Sequence, residues 1–139
     1  MKALLALLFV AACATTSAAS PVGRVAGCWI SRDGSGGATI MRWLADASRP
    51  GALQGDKLVY VAGGVTQSER YRLEPRGDSW ALCQIEAAGE RCWRVAEGEE
   101  GSLEGGRAFL DTHREDLRIM IVGDGADRLV FQGARDGCD

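Results

Sequence analysis

Apolar and polar residues alternate along most of this chain, most regularly from Val65 to Glu74. Val65, Gln67, Glu69, Tyr71 and Leu73 share one face, and Thr66, Ser68, Arg70, Arg72 and Glu74 the other. A period of two marks a half-buried strand. The same pattern predicts strands at Cys28 to Arg32, Thr39 to Ala45, Leu53 to Val61, Trp80 to Ile85, Arg91 to Val95, Arg107 to Thr112, Leu117 to Val122 and Arg128 to Gln132. Gly55-Asp56 reads as an interruption of the Leu53 strand, and Pro21 to Ala26 as a short cap or turn.

Between these runs lie Gly- and Asp-rich turns: Asp33 to Gly37, Gly63-Gly64, Pro75-Arg76-Gly77-Asp78, Glu86 to Glu90 and Gly123 to Asp127. Glu97 to Gly106 is acidic, Gly-rich and reads as an exposed loop. Consecutive short strands with tight turns and no helical period describe a meander, and closing a meander removes its exposed edges. The expected fold is therefore all-β, a single antiparallel up-and-down barrel of about eight strands. The count of alternation turns Trp29, Trp43, Tyr60, Tyr71, Trp80, Trp93, Phe109 and Phe131 inward.

With 139 residues, 46% hydrophobic and 25% charged, the chain fits one domain and leaves no room for two. The formal charge of -3 and the lack of a basic stripe argue against nucleic acid as a partner. Met1-Lys2 followed by the apolar run Ala3 to Ala12 reads as an export signal, too short to span a bilayer permanently. Ser17-Ala18-Ala19 suggests cleavage after Ala19, giving a signal peptide over residues 1–19 and a barrel domain over 20–139. Val10-Ala11-Ala12-Cys13 also resembles a bacterial lipobox, in which Cys13 would carry lipid and tie the protein to a membrane. The periplasm is the expected location under either processing.

Cys28, Cys83, Cys92 and Cys138 remain after the leader is removed, an even number in a compartment where disulfides persist. Three pairings are formally open. Cys83 and Cys92 sit at matched positions on the two arms of one hairpin, within bonding range across the strands. That leaves Cys28 with Cys138, which a closed meander brings together at the seam of its first and last strands. The alternation agrees, because each cysteine lies on the face opposite Trp29, Trp80 or Trp93. No metal site is expected: there is one histidine and no C-x-x-C pair.

Catalytic chemistry finds little support. His113 is the only histidine, in the charged run Thr112 to Asp116, but a general base needs a nucleophile or water site in reach and no motif supplies one. A solvated turn accounts for it, so no catalytic residue, enzymatic activity or cofactor is expected. Glu69 is more informative, since it falls on the apolar face between Gln67 and Tyr71, and a buried carboxylate needs a partner or a wet cavity. Gln84 and Arg91 fall on inward faces of neighbouring strands. The cluster reads either as internal polar packing that fixes register or as the floor of a pocket.

Taken together, these runs carry a resemblance. Gly27 and Trp29 look like the Gly-x-Trp signature of lipocalins, and the chain more closely resembles a bacterial exported lipocalin-like domain family of unknown function. Val25-Ala26-Gly27-Cys28-Trp29 corresponds to its L-A-G-x-W opening, and Met41-Arg42-Trp43 to an E-x-W strand. Ser68 to Glu74 corresponds to F-E-F-x-R-I-E, and His113 to Ile119 to H-D-F-P-x-R-I, followed by the Gly123-Asp124 turn and a last strand. Met41 stands where that family has an acidic residue, and Arg114-Glu115-Asp116-Leu117 replaces D-F-P-x. The resemblance implies a lipocalin-like barrel and export, and no activity.

The expected function is binding of a small, partly apolar ligand inside the barrel, with Trp29, Trp43, Glu69, Tyr71, Trp80, Gln84 and Trp93 as candidate lining residues. The alternative is an interaction protein, such as an inhibitor of an envelope enzyme, acting through the loops at Ser31 to Gly37 and Glu97 to Gly106.

Overall fold

A computed structural model describes residues 20–62, 64–96, 106–123 and 125–138. The leader, Cys13 and nearly all of the Glu97 to Gly106 loop lie outside the described residues.

The chain opens with a helix rather than a turn. Residues Pro21–Val25 form α1, a single turn begun by Ser20, whose Oγ accepts from the Val22 amide at 3.3 Å, with Pro21 in the first turn. Serine before proline is a strong start signal, because the serine oxygen takes an otherwise unpaired amide and the proline has none to satisfy. Five residues are too few to show a helical period, which is why the alternation passes over them.

Nine strands follow: β1 (Gly27–Arg32), β2 (Ala38–Ala45), β3 (Leu53–Val61), β4 (Gly64–Arg76), β5 (Ser79–Glu86), β6 (Gly89–Val95), β7 (Arg107–His113), β8 (Asp116–Val122) and β9 (Arg128–Asp136). They close into one barrel in sequence order, β9 returning to β1. Pro75 and Arg76 belong to β4, so that turn tightens to Gly77-Asp78 between Arg76 and its partner Ser79. Every pairing is antiparallel except β6 with β7, which run parallel through Arg94 with Arg107 and Val95 with Ala108. Parity explains the exception. Nine strictly alternating strands would bring β9 back parallel to β1, and one parallel junction restores the antiparallel closure observed at Cys28 with Asp136, Trp29 with Arg135 and Ile30 with Ala134.

Gly55 does not interrupt β3, which pairs without a break from Leu53 to Val59 with both neighbours. A Cβ there would come within 2.6 Å of the Trp43 ring, so the absent side chain is what lets the indole lie against the strand. Trp29, Met41, Trp43, Tyr71, Leu73 and Leu82 are among the fully buried side chains of the core. Tyr60 and Phe109 turn out to lie on the outer face. Tyr60 pairs with Ala38, out of phase with the inward Met41 and Trp43, and Phe109 sits between the buried Ala108 and Leu110.

Both expected disulfides are present, Cys28 with Cys138 and Cys83 with Cys92, the latter across directly opposed positions whose Cα atoms are 4.0 Å apart. Cys83 and Cys92 lie on the outer face, opposite the inward Leu82, Trp93 and Val95.

Candidate functional site

One end of the barrel is closed by Trp29. Its Nε1 donates to the Val25 carbonyl at the end of α1 at 2.8 Å, and the Arg135 guanidinium lies over the ring, 4.3 Å from its centroid. Arg135 also donates to the carbonyls of Ala26 and Arg24. Helix, first strand and last strand are thereby tied together around one indole.

A group of polar side chains gathers around Glu69 at the margin of the core. The Glu69 carboxylate accepts from the Tyr71 hydroxyl, from Lys57 Nζ at 3.2 Å and from Gln67 Nε2 at 2.7 Å. Lys57 and Glu69 are register partners on β3 and β4, and their side chains are only 16% and 17% exposed. Burial alone would push the Glu69 carboxyl up, but the Tyr71 hydrogen bond, the Lys57 ammonium and the charge of Arg128 together hold it below the ordinary range. The same arrangement drives Tyr71 the other way: burial first, then its hydrogen bond to the Glu69 carboxylate and the charge there, keep the phenol protonated well beyond its usual range. The exposed Arg128 donates to Gln84 Oε1 at 2.9 Å and lies over Trp93, as does Arg91.

Of the seven residues named from the sequence, Trp29, Trp43, Tyr71 and Trp93 are buried in the core, and Glu69, Trp80 and Gln84 are half-buried at its margin. Trp43 Nε1 has no hydrogen-bond partner among the described residues. None of the seven lines the large cavity. Trp80 and Trp93 line a smaller hollow of about 150 Å³, together with Arg76, Ser79 and Arg94.

The large cavity is a hollow of about 860 Å³ that lies broadly open to solvent where β1 and β9 part. Thr39, Lys57, Val59, Leu117 and Phe131 reach it from the inner face, and Asp111, His113 and Arg118 from the outer face. Its position follows from the register: β1 and β9 share only three pairs, the last being Ile30 with Ala134. Beyond that pair Ser31 and Arg32 on one strand, and Leu129 to Gly133 on the other, border the same space. Arg32 and Arg118 make no ion pair among the described residues, so the rim offers charge while Ile30, Val59 and Leu129 offer apolar surface. Sequence reasoning passed over Lys57, the one charged side chain on the inner face of β3, because Gly55-Asp56 looked like a break and the alternation was not counted through it. His113 is exposed at the end of β7, beside the two-residue turn Arg114-Glu115, where Arg114 has φ 55°.

A second polar cluster sits on the outside of β4, β5 and β6. Arg72 and Glu74 point away from the core, yet are only 6% and 8% exposed. Arg72 Nε donates to Glu74 at 2.7 Å and its other end to Glu90, while Arg49 and Arg76 also donate to Glu74. Burial would raise the Glu74 carboxyl, but the Arg76 and Arg72 hydrogen bonds and charges hold it low. Arg76 Nη2 lies 3.5 Å from Cys83 Sγ and 3.2 Å from Cys92 Sγ, and so covers the disulfide.

Comparisons of the chain with family models, with curated proteins and with solved structures each returned no match. The geometry therefore carries the functional reading by itself.

Proposed function

We propose that this chain is an exported lipocalin-like binding protein that takes a small, partly apolar ligand into the side opening between β1 and β9. The observation that carries the reading is the cavity of about 860 Å³, within the size range of small-molecule sites. Its wall suits an amphipathic guest, with the half-buried Ile30 and Val59 and the exposed Leu129 to cover an apolar body and Arg32 and Arg118 to fix a polar end. Two disulfides fit an oxidising compartment, and export would follow from the leader, either as a soluble periplasmic form beginning at Ser20 or as a form anchored through Cys13. No reaction is assigned to it.

Native mass spectrometry of protein purified from its own host tests the reading directly. A co-purified small molecule is expected on the wild-type chain and absent from Val59→Trp, in which a large ring fills the inner wall while circular dichroism stays unchanged. A bare wild-type protein that also shows no saturable binding in a screen of apolar acids, amines and aromatic compounds would give way to the rival reading of a loop-mediated interaction protein.

A further inference from the structure

We propose that the outer face of β4, β5 and β6 carries a redox-gated site for a thiophilic divalent cation, formed by Cys83, Cys92 and Glu90 when their disulfide is reduced. The ligand atoms of these three residues lie within 4.8 Å of one another. Two thiolates and a carboxylate are a donor set suited to zinc-like ions, and three protein ligands leave a fourth position for water or a further ligand.

The opening step is thiol-disulfide exchange with an external dithiol. One thiolate of the reagent attacks Cys92 Sγ, which is only partly covered, and the electron pair of the broken sulfur-sulfur bond leaves on Cys83 Sγ. The reagent's second thiolate then displaces Cys92 and closes the reagent's own disulfide, so two electrons pass to the protein. Any proton taken up by either sulfur is released again when the cation binds.

Three features of the surroundings fit the reduced pair. The hairpin that holds the sulfurs is paired on both sides of them, from Ala81 with Arg94 to Glu86 with Gly89, so the two positions stay opposed without the bond. Arg76 Nη2, within 3.5 Å of both sulfurs, favours the thiolate form that a metal requires. Arg72 holds the Glu90 carboxylate from behind, as a supporting group holds a metal-binding carboxylate.

The test uses the full chain and Cd²⁺ as the probe. The protein is reduced with a dithiol, freed of reagent under inert gas, and alkylated with iodoacetamide with and without Cd²⁺ before peptide mapping. Cd²⁺ is expected to protect Cys83 and Cys92 selectively, leaving Cys28 and Cys138 labelled, and to give a thiolate-to-cadmium charge-transfer band. Glu90→Gln is expected to weaken the affinity by about tenfold or more, the loss seen even for supporting groups. Equal labelling of all four cysteines with Cd²⁺ present overturns the proposal. So does an affinity indifferent to Glu90→Gln, or a reduced chain that unfolds and does not recover its circular dichroism when Cd²⁺ is added.

Discussion

The indole of Trp43 rests on the bare backbone of Gly55, its partner across β2 and β3, so closely that a Cβ at Gly55 would meet three of its ring carbons at 2.6 to 2.8 Å. Gly55→Ala is therefore expected to destabilise the fold by about 1 to 3 kcal/mol, the usual penalty of overpacking. Trp43→Ala is expected to cost about 3 to 5 kcal/mol by emptying a large site. The two should be strongly non-additive, because with the indole gone the alanine methyl has room. Urea unfolding of the singles and the double variant measures this, and strict additivity would contradict the contact.

At the closed end, Arg135→Ala removes the guanidinium from the Trp29 face along with its hydrogen bonds to α1. A cost of about 1 kcal/mol is expected, since the cation is partly exposed. The local signature is sharper than the loss of stability. Trp29 emission should change in Arg135→Ala relative to the same comparison made in a Trp29→Phe background, and an identical difference in both backgrounds would exclude the stacking.

Stability should fall at both extremes of pH, for opposite reasons. Glu69 and Glu74 are held below their ordinary range when folded, so the unfolded chain binds protons first as pH drops. Their contribution is complete above the unfolded value of about 4.3 and is lost as pH falls through their folded values. Tyr71 is raised, so its contribution is complete below about pH 10 and is lost above it as the unfolded phenol ionises. Urea midpoints across pH should drop on both limbs, with Glu69→Gln flattening the acid limb and Tyr71→Phe the alkaline one. Limbs unchanged in these variants would remove the Glu69 to Tyr71 contact as their cause.

The two disulfides should differ in worth. By chain entropy, the Cys28 to Cys138 bridge, spanning 110 residues, contributes about 4.8 kcal/mol and the Cys83 to Cys92 bridge, spanning 9, about 2.6 kcal/mol. Paired serine variants compared by thermal unfolding should follow that order. A larger loss from Cys83→Ser with Cys92→Ser would show that the covered hairpin face, with its Arg76 and Glu74, contributes more than loop closure alone.

What could be read from the sequence was local. Alternation located every strand and turned Trp29, Met41, Trp43 and Tyr71 inward, and the matched hairpin positions of Cys83 and Cys92, with the closing seam for Cys28 and Cys138, pointed to both bridges. What stayed hidden depended on residues meeting from far apart. A face assignment says that Arg72 and Glu74 point outward, but not that Arg49 from a loop and Glu90 from β6 cover them. The cavity likewise exists only where β1 and β9 part, which requires knowing where their register ends. Gly55 misled because glycine within a strand usually marks a bend, whereas here it makes room for a ring.

The bridge from Cys28 to Cys138 has one more consequence. It encloses all nine strands except the first residue of β1, so the barrel, with α1 left outside, is covalently a ring. A single protease cut between those two cysteines would linearise that ring without releasing a fragment. Shedding a piece takes two cuts, or one cut together with reduction, and a piece with one end between Cys83 and Cys92 and the other outside that span would still be retained by the smaller bond. Such a molecule can be nicked and still diffuse, and refold, as one particle.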